Sequence, residues 1–360
     1  MAPTKVLPFA FLAILSQVTA RDIFVSPTGT GSGTQAAPYG SIQSAVTAAA
    51  AGDTIYLRQG TYAPSANIQF STSGTATAPI SVRPYQGEKV IIDGENMPGL
   101  INGPYGIYAR DASHNYYNGL STHDNYETGF QLEGASSNNT VLNLDSYRNR
   151  DPRKNGESAD GFACKSGSGE GNVLRNARLW DNVDDGLDLY MFASAVTVDE
   201  VYAWGNGYDR WGFSPFEGDG NGFKLGITDS PPADHVVRNS IAFANFKKGF
   251  IDNGNPGSLT FERNTAWNNG DTGFVMRSSS SKMTGNIAAV NFGSAQVSLV
   301  STVTATGNSW NSGTWSNSSF TSVDASVLKG ARGSDKKVQG SSFLIPVSGQ
   351  AIGATTLADV

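Results

Sequence analysis

A single cysteine, Cys164, stands in 360 residues. No intramolecular disulfide can brace the fold, so its stability has to come from packing. Histidine is nearly as scarce, with His114, His123 and His235 dispersed along the chain, and no His/Cys cluster points to a transition metal. Basic runs are missing and the formal charge is −6, which excludes an ordinary nucleic-acid partner. Lysine and glutamate are few while glycine numbers 42. With abundant Asn and Ser, this composition disfavours long helices and favours short strands joined by turns. The apolar run at residues 6–15 is too short to cross a bilayer, and no later stretch is apolar enough. Behind Lys5 and ahead of Val18-Thr19-Ala20, that run reads as an export leader cut after Ala20. The mature chain, residues 21–360, is then expected outside the cell as a single domain, monomeric and with no membrane partner. Two glycosylation sequons, Asn138-Asn139-Thr140 and Asn317-Ser318-Ser319, suit an exported chain.

What the chain does have is a repeat. Tyr147-Arg148-Asn149, Trp180-Asp181-Asn182, Trp204-Gly205-Asn206, Phe243-Ala244-Asn245, Trp267-Asn268-Asn269 and Ala289-Val290-Asn291 share an apolar residue two positions before Asn; His123-Asp124-Asn125 is a seventh copy. Successive Asn residues lie 24, 33, 24, 39, 24 and 22 positions apart, a unit near 23 with two insertions. A second mark recurs at Gly129-Phe130, Gly161-Phe162, Gly186-Leu187, Gly222-Phe223, Gly249-Phe250 and Gly273-Phe274. Between the marks run short stretches of period two, such as Asn172-Val173-Leu174-Arg175, which suit strands. A leucine-rich repeat would need a leucine framework that is absent, and propeller blades need longer units. The expected fold is all-β, a right-handed parallel β-helix whose inward aromatics and Asn side chains stack coil on coil. A helix from residue 41 to 51, with Ser41 as its cap, is expected to cover the first coil. Beyond about residue 300 the repeat fades into irregular coils and a tail along the solenoid, with no further placement for residues 341–360.

Aligning coils on the glycine mark places distant residues side by side. Asp160 and Asp185 each precede the mark, so they stack on adjacent coils; Asp188 and Lys224 each follow their glycine by two and become rung neighbours. With Asp184 this gathers four carboxylates on one small patch. Such a density of like charge calls for a hard cation with oxygen ligands, and calcium suits it better than magnesium. An Asp-Gly pair alone is ordinary turn chemistry. It is the convergence across coils, with a lysine alongside, that marks a site.

The segments Asn149–Lys165, Asp184-Asp185-Gly186-Leu187-Asp188-Leu189-Tyr190 and Gly218–Gly226 resemble the pectate lyases of polysaccharide lyase family nine. The resemblance covers roughly residues 21–300. It implies that Asp160, Asp184, Asp185 and Asp188 hold Ca2+ and that Lys224 is the base of a β-elimination on pectate, an acidic polysaccharide. Leu187 departs from the bulkier aromatic common at its position. Proton abstraction beside a carboxylate needs a neutral lysine, so an alkaline optimum is expected. Lys165, Arg210, Lys247, Lys248 and Arg277 could meet further substrate carboxylates, with Lys248 and Arg277 slightly favoured by register; surface pairing explains these cations equally well. Two rival readings stand: a β-helical glycoside hydrolase using the same acids without a metal, and a non-catalytic wall-binding solenoid with structural calcium.

Overall fold

A stretch of three or four alternating residues has one apolar face and too few hydrogen bonds to persist alone, so each must stack on its neighbours. The computed structural model describes residues 19–95 and 105–354, and in it these stretches build a parallel β-helix. All but the last two positions of the expected leader, and residues 355–360 of the tail, lie outside the described residues. Among the described residues the strands form three parallel sheets of eleven, nine and nine strands. One coil shows the path. Thr140–Leu142 lies in the first sheet, Asp145–Tyr147 in the third and Phe162–Gly167 in the second, before Asn172–Arg175 returns to the first beside Thr140–Leu142.

The expected helix spans Ile42–Ala48, with the Ser41 hydroxyl accepting from the Ser44 N–H at 3.1 Å. It buries Ile42, Ala45 and Val46 against the first coils. It stops short of residue 51 because Asp53 captures the Ala50 N–H at 3.0 Å and pairs with Arg21 at 2.6 Å, which turns the chain into strand Thr54–Leu57.

The repeated Asn residues form a continuous buried column. Each side-chain amide donates to the Asn oxygen of the next coil: Asn125 to Asn149 at 2.7 Å, Asn149 to Asn182 at 2.7 Å, Asn182 to Asn206 at 3.0 Å, Asn206 to Asn245 at 2.9 Å and on through Asn269 to Asn291. Each oxygen also accepts the backbone N–H of the preceding Asn, as Asn206 does from Asn182 at 3.1 Å. The column thereby satisfies turn backbone that the sheets leave unpaired. Other columns, Asn115–Asn139–Asn172 and Asn264–Asn286–Asn308, occupy other corners. The recurrent glycines answer to space. A Cβ on Gly186 or Gly222 would fall 2.9 Å from the Asn amide of the column and 2.9 or 2.8 Å from the Cβ of Ala203 or Ala242.

Aromatic stacking divides between two faces. Inside, the Phe of the glycine mark stacks, with Phe223 on Phe250 at 4.5 Å and Phe250 on Phe274 at 4.8 Å; each ring removed from water contributes about 2 kcal/mol. The aromatics two positions before the column Asn stack as well, Tyr147 on Trp180 at 4.2 Å and Trp180 on Trp204 at 5.0 Å, but they point outward. Alternation requires it, because the residue between, such as Ala203, faces the core. The C-terminal segment covers this outer stack, with Phe320, Leu328, Val338, Phe343 and Leu344 buried against Tyr202, Trp204 and Phe243. Asp145 fastens it by pairing with Arg178 at 2.6 Å and Arg332 at 2.8 Å. Of the sequons, Asn138 is exposed in a turn, while the Asn317 side chain accepts from the Trp267 indole at 3.0 Å.

Replacing Asn206 by Ala removes the acceptor of the Asn182 N–H and of its side-chain amide, and the amide that donates to the Leu179 carbonyl. The expected loss is about 3 kcal/mol of unfolding free energy by urea titration; a change near zero would show the column to be dispensable. His235 is fully buried, with Nδ1 accepting the Val196 N–H at 3.1 Å and Nε2 unpartnered. Burial lowers its pKa to about 3, with Asp234 opposing only weakly. The unfolded chain takes up a proton below pH ~6.5, where the folded chain does not. Stability contributed by neutral His235 is therefore complete above that pH and is lost as the pH falls towards 3. His235→Asn should flatten this acid limb of the stability–pH curve; an unchanged slope would remove His235 as its source.

Candidate active site and metal centre

The second sheet presents the site. Its parallel pairing puts Ala163, Asp188 and Lys224 on successive rungs, and Phe162, Leu187 and Phe223 on the rungs beside them. Because the side-chain period is two, Leu187 and Phe223 enter the core while Asp188 and Lys224 face out, together with Lys165 two positions beyond Ala163. Asp160, Asp184 and Asp185 stand just before these strands. There a charged column stacks coil on coil with its hydrogen bonds running opposite to those of the Asn column: the Asp160 Oδ1 accepts the Asp185 N–H at 3.2 Å, and the Asp185 Oδ1 accepts the Asn221 N–H at 2.6 Å and its side-chain amide at 2.9 Å. The Asp184 Oδ1 accepts the Asp219 N–H at 2.6 Å.

All five expected site residues meet. Asp160, Asp184, Asp185 and Asp188 are at most 1 % exposed. Carboxylate oxygens of Asp160, Asp185 and Asp188 lie within 4.8 Å of one another, as do those of Asp184, Asp185 and Asp219. The Lys224 ammonium is 3.3 Å from Asp185, 3.5 Å from Asp188 and 3.1 Å from Asp219. Lys165 stands deeper than a surface cation, 2.7 Å from Asp160 and 2.9 Å from Asp188. Even so, Asp184 Oδ2, Asp185 Oδ2 and Asp188 Oδ1 are buried without a hydrogen-bond donor. Unsatisfied buried carboxylate oxygens are costly, and a hard cation is the group that would satisfy them.

The electrostatics carry the same signature. Burial pushes Asp160 up to about 6 despite Lys165, and Asp185 up to about 7 despite Lys224, with Asp188 adding to both shifts. Burial and the neighbouring Asp185 raise Asp184 well above the carboxylate range. Burial alone would lower Lys224, but Asp188, Asp185, Asp184 and Asp219 outweigh it and hold the ammonium above the ordinary lysine range. Against burial, Lys224 and then Lys247, 3.4 Å away, keep Asp219 below the ordinary carboxylate range.

The cluster opens into a groove of about 630 Å3 reached by Lys224, Lys165, Asp188, Asp219, Lys154 and Tyr190. A second hollow of about 480 Å3 continues it past Tyr105, Glu127, Glu133 and Lys154, with the Tyr105 and Tyr108 rings stacked at 4.7 Å. The two long coil insertions supply one wall: Lys154 and Glu157 come from the first, Glu217 and Asp219 from the second, and the Glu217 N–H donates to the Asn155 carbonyl at 3.0 Å. Glu127 between the hollows is buried, which pushes its carboxyl up to about 7 with help from Asp151 and against Lys154. Lys248 pairs with Asp271 at 2.9 Å, and neither it nor the exposed Arg277 is among the residues lining either hollow. Asp219 and Glu127 received no role from the sequence. Asp219 stands in Gly218-Asp219-Gly220, where an acid between glycines reads as a turn; Glu127 carries no mark at all.

A family model described as Pel9A-like, right-handed β-helix region, matches residues 23–291. The protein named pectate lyase PEL9 from Emericella nidulans is 52% identical over 97% of this chain and 98% of its own length. Among solved structures, pectate lyase Pel9A superposes with a TM-score of 0.76 at 31% identity, covering 92% of this chain and 90% of that one. A rhamnogalacturonan lyase superposes at 0.78 with 24% identity, covering 93% and 100%, a likeness of fold alone. By the family model over residues 23–291 and the near full-length identity to a relative, the chain belongs to the Pel9A-like right-handed β-helix family.

Proposed function

We propose that this chain is a secreted pectate lyase that cleaves polygalacturonate by calcium-dependent β-elimination, with Lys224 as the base. The observation that carries the reading is a set of buried, partly unsatisfied carboxylates opening through Lys224 onto a surface groove. The names of the relatives, which are pectate lyases, favour the same substrate. Export rests on the leader pattern before Ala20; among the described residues no helix is long and apolar enough to cross a membrane.

Asp160, Asp184, Asp185 and Asp188 would hold the ion, an all-oxygen donor set that fits calcium. Bound there, calcium would supply positive charge to offset the substrate's C6 carboxylate and the charge that gathers on it as C5 loses its proton. Lys224 reaches the groove from the floor and takes the C5 proton on its amine. The C4–O4 bond breaks with its electron pair on O4, a C4–C5 double bond forms, and the departing oxygen is protonated from water. The base must first be neutral, and the surrounding acids oppose this by holding the Lys224 ammonium above the ordinary lysine range. Turnover should therefore rise into alkaline pH. Asp219 keeps the amine from swinging away, tethered from the other side by Lys247. Lys154 and Lys165 are the groove cations best placed for uronate carboxylates.

The test is absorbance-monitored turnover of polygalacturonate at neutral to alkaline pH. Native protein should generate the unsaturated, ultraviolet-absorbing product and stop when a chelator removes calcium. Lys224→Ala should lower kcat about a thousandfold, the range of a lost general base. New reducing ends without absorbance would indicate hydrolysis, no cleavage at all would favour a binding solenoid, and substantial turnover by Lys224→Ala would remove Lys224 as the base.

A further inference from the structure

The buried acid cluster already contains a cation. Lys165 Nζ joins two acids on different coils, lying 2.7 Å from the Asp160 Oδ2 and 2.9 Å from the Asp188 Oδ2. These are two of the four carboxylates that would hold the metal, so ammonium and ion claim the same oxygens. Charge counting sharpens the conflict. Four carboxylates with the ammoniums of Lys165 and Lys224 sum to −4 + 2 = −2, which one divalent ion balances. Yet the Lys165 contacts, at hydrogen-bond length in a dry site, leave the ion only part of its donor set. The two lysines differ in freedom. Lys224 is drawn outward by Asp219, whereas Lys165 has only the two metal-site acids as ion-pair partners within 4 Å among the described residues. Its stem rises from the outward face of strand Phe162–Gly167, and its side chain, 15 % exposed, already borders the groove.

We propose that Lys165 is a displaceable internal counter-ion: it holds Asp160 and Asp188 together in the metal-free protein and turns into the groove when a divalent cation takes their oxygens. There its ammonium meets a substrate carboxylate, so that occupancy of the metal site and readiness for a polyanion are coupled through one side chain. This rests on the calcium reading above and adds a second state to it. In the metal-free state Lys165 partly neutralises the acids and its ammonium is withheld from the groove; in the loaded state the roles exchange. A flexible lysine suits the exchange, since its ammonium needs no fixed fork geometry and its stem can rotate without moving the strand.

The first experiment needs no variant. The native chain is acylated at amines with and without calcium and the rate at each lysine is read by peptide mass spectrometry. Lys165 should be protected in the metal-free protein and react roughly tenfold faster with calcium, the scale of losing one charge-assisted hydrogen bond; exposed Lys282 should not change. Calorimetry then compares calcium binding by the native chain and Lys165→Met. The variant, freed of the competing ammonium, should bind calcium roughly tenfold more tightly, and at saturating calcium its KM for polygalacturonate should rise with kcat little changed. Calcium uptake by the native chain with no change in Lys165 labelling, or weaker calcium binding by Lys165→Met, would overturn the exchange while leaving the metal site standing. Absence of calcium uptake by the native chain would overturn the metal reading itself, and the exchange with it. Should Lys165→Met fail to fold, the labelling of the native chain decides alone.

Discussion

Everything in this protein depends on the register between coils. Parallel main-chain hydrogen bonds set neighbouring coils about 4.8 Å apart, and the buried Asn columns lock the corners where the sheets cannot. That double constraint carries Asp160, Asp188 and Lys224 from positions 64 residues apart in sequence to three successive coils. The tolerance is narrow. A slip of one residue in the second sheet would turn Asp188 and Lys224 into the core and Leu187 and Phe223 into water, so the same alternation that packs the interior aims the chemistry outward.

The site is made by spending some of that regularity. At the coil corner before the second sheet, Asp160 and Asp185 occupy a column in which each carboxylate accepts from the following coil, the reverse of the Asn column, whose oxygens accept from the preceding one. The second difference is charge. An Asn column is satisfied by its own amides, whereas carboxylates have no donors to give, and in the cluster Asp184 Oδ2, Asp185 Oδ2 and Asp188 Oδ1 stay without a hydrogen bond. Beneath them the Phe stack is interrupted at Leu187, which stands between Phe162 and Phe223. The local deficit is held by structure on either side: the Phe223–Phe250–Phe274 stack below and the Asn column at the adjoining corner. On the outer face the C-terminal segment closes over the Trp stack through Asp145 and its two arginines. Rigidity around the acids keeps four like charges from moving apart, the preorganisation that the proposed cation site would need.

The parts legible in the sequence are those governed by a strict period. The Asn column and the strands follow from counting along a repeated unit, and the convergence of Asp160, Asp184, Asp185 and Asp188 beside Lys224 follows from aligning the coils on their glycine mark, which survives the insertions. Where the count fails, legibility fails. Asp219 sits inside the 39-residue interval between column Asn residues, where inserted chain has no register to place it. The C-terminal segment has no repeat, so Phe343 and Arg332 gave no sign of packing on the third sheet and Asp145. Outward stacking of Trp180 and Trp204 was hidden for another reason: a large aromatic at a repeated position reads as core unless something outside is known to bury it. Lys165 was visible as a cation, but its aim into the acids depends on a side-chain torsion that no period fixes.

The division of labour between frame and insertions also bears on which polymer is read. The acids and Lys224 are aligned by the pairing of the second sheet, and under the proposed elimination they would address features common to any uronate: a carboxylate and an acidic proton beside it. Sugar identity, branching and chain length must be sensed farther from the bond, along the groove. There the wall is built by the two insertions, with Lys154, Glu157 and Glu217, and the floor by Tyr105, Glu127 and Glu133. Those insertions meet through the Glu217 N–H on the Asn155 carbonyl and the Arg150 guanidinium facing the Trp211 ring, and the second is tied to the acids where the Asp219 N–H donates to Asp184. The acid cluster is held by coil register, whereas the outer wall of Lys154, Glu157 and Glu217 belongs to the insertions, so substitutions in that wall can alter what the groove accepts while the acids stay in place.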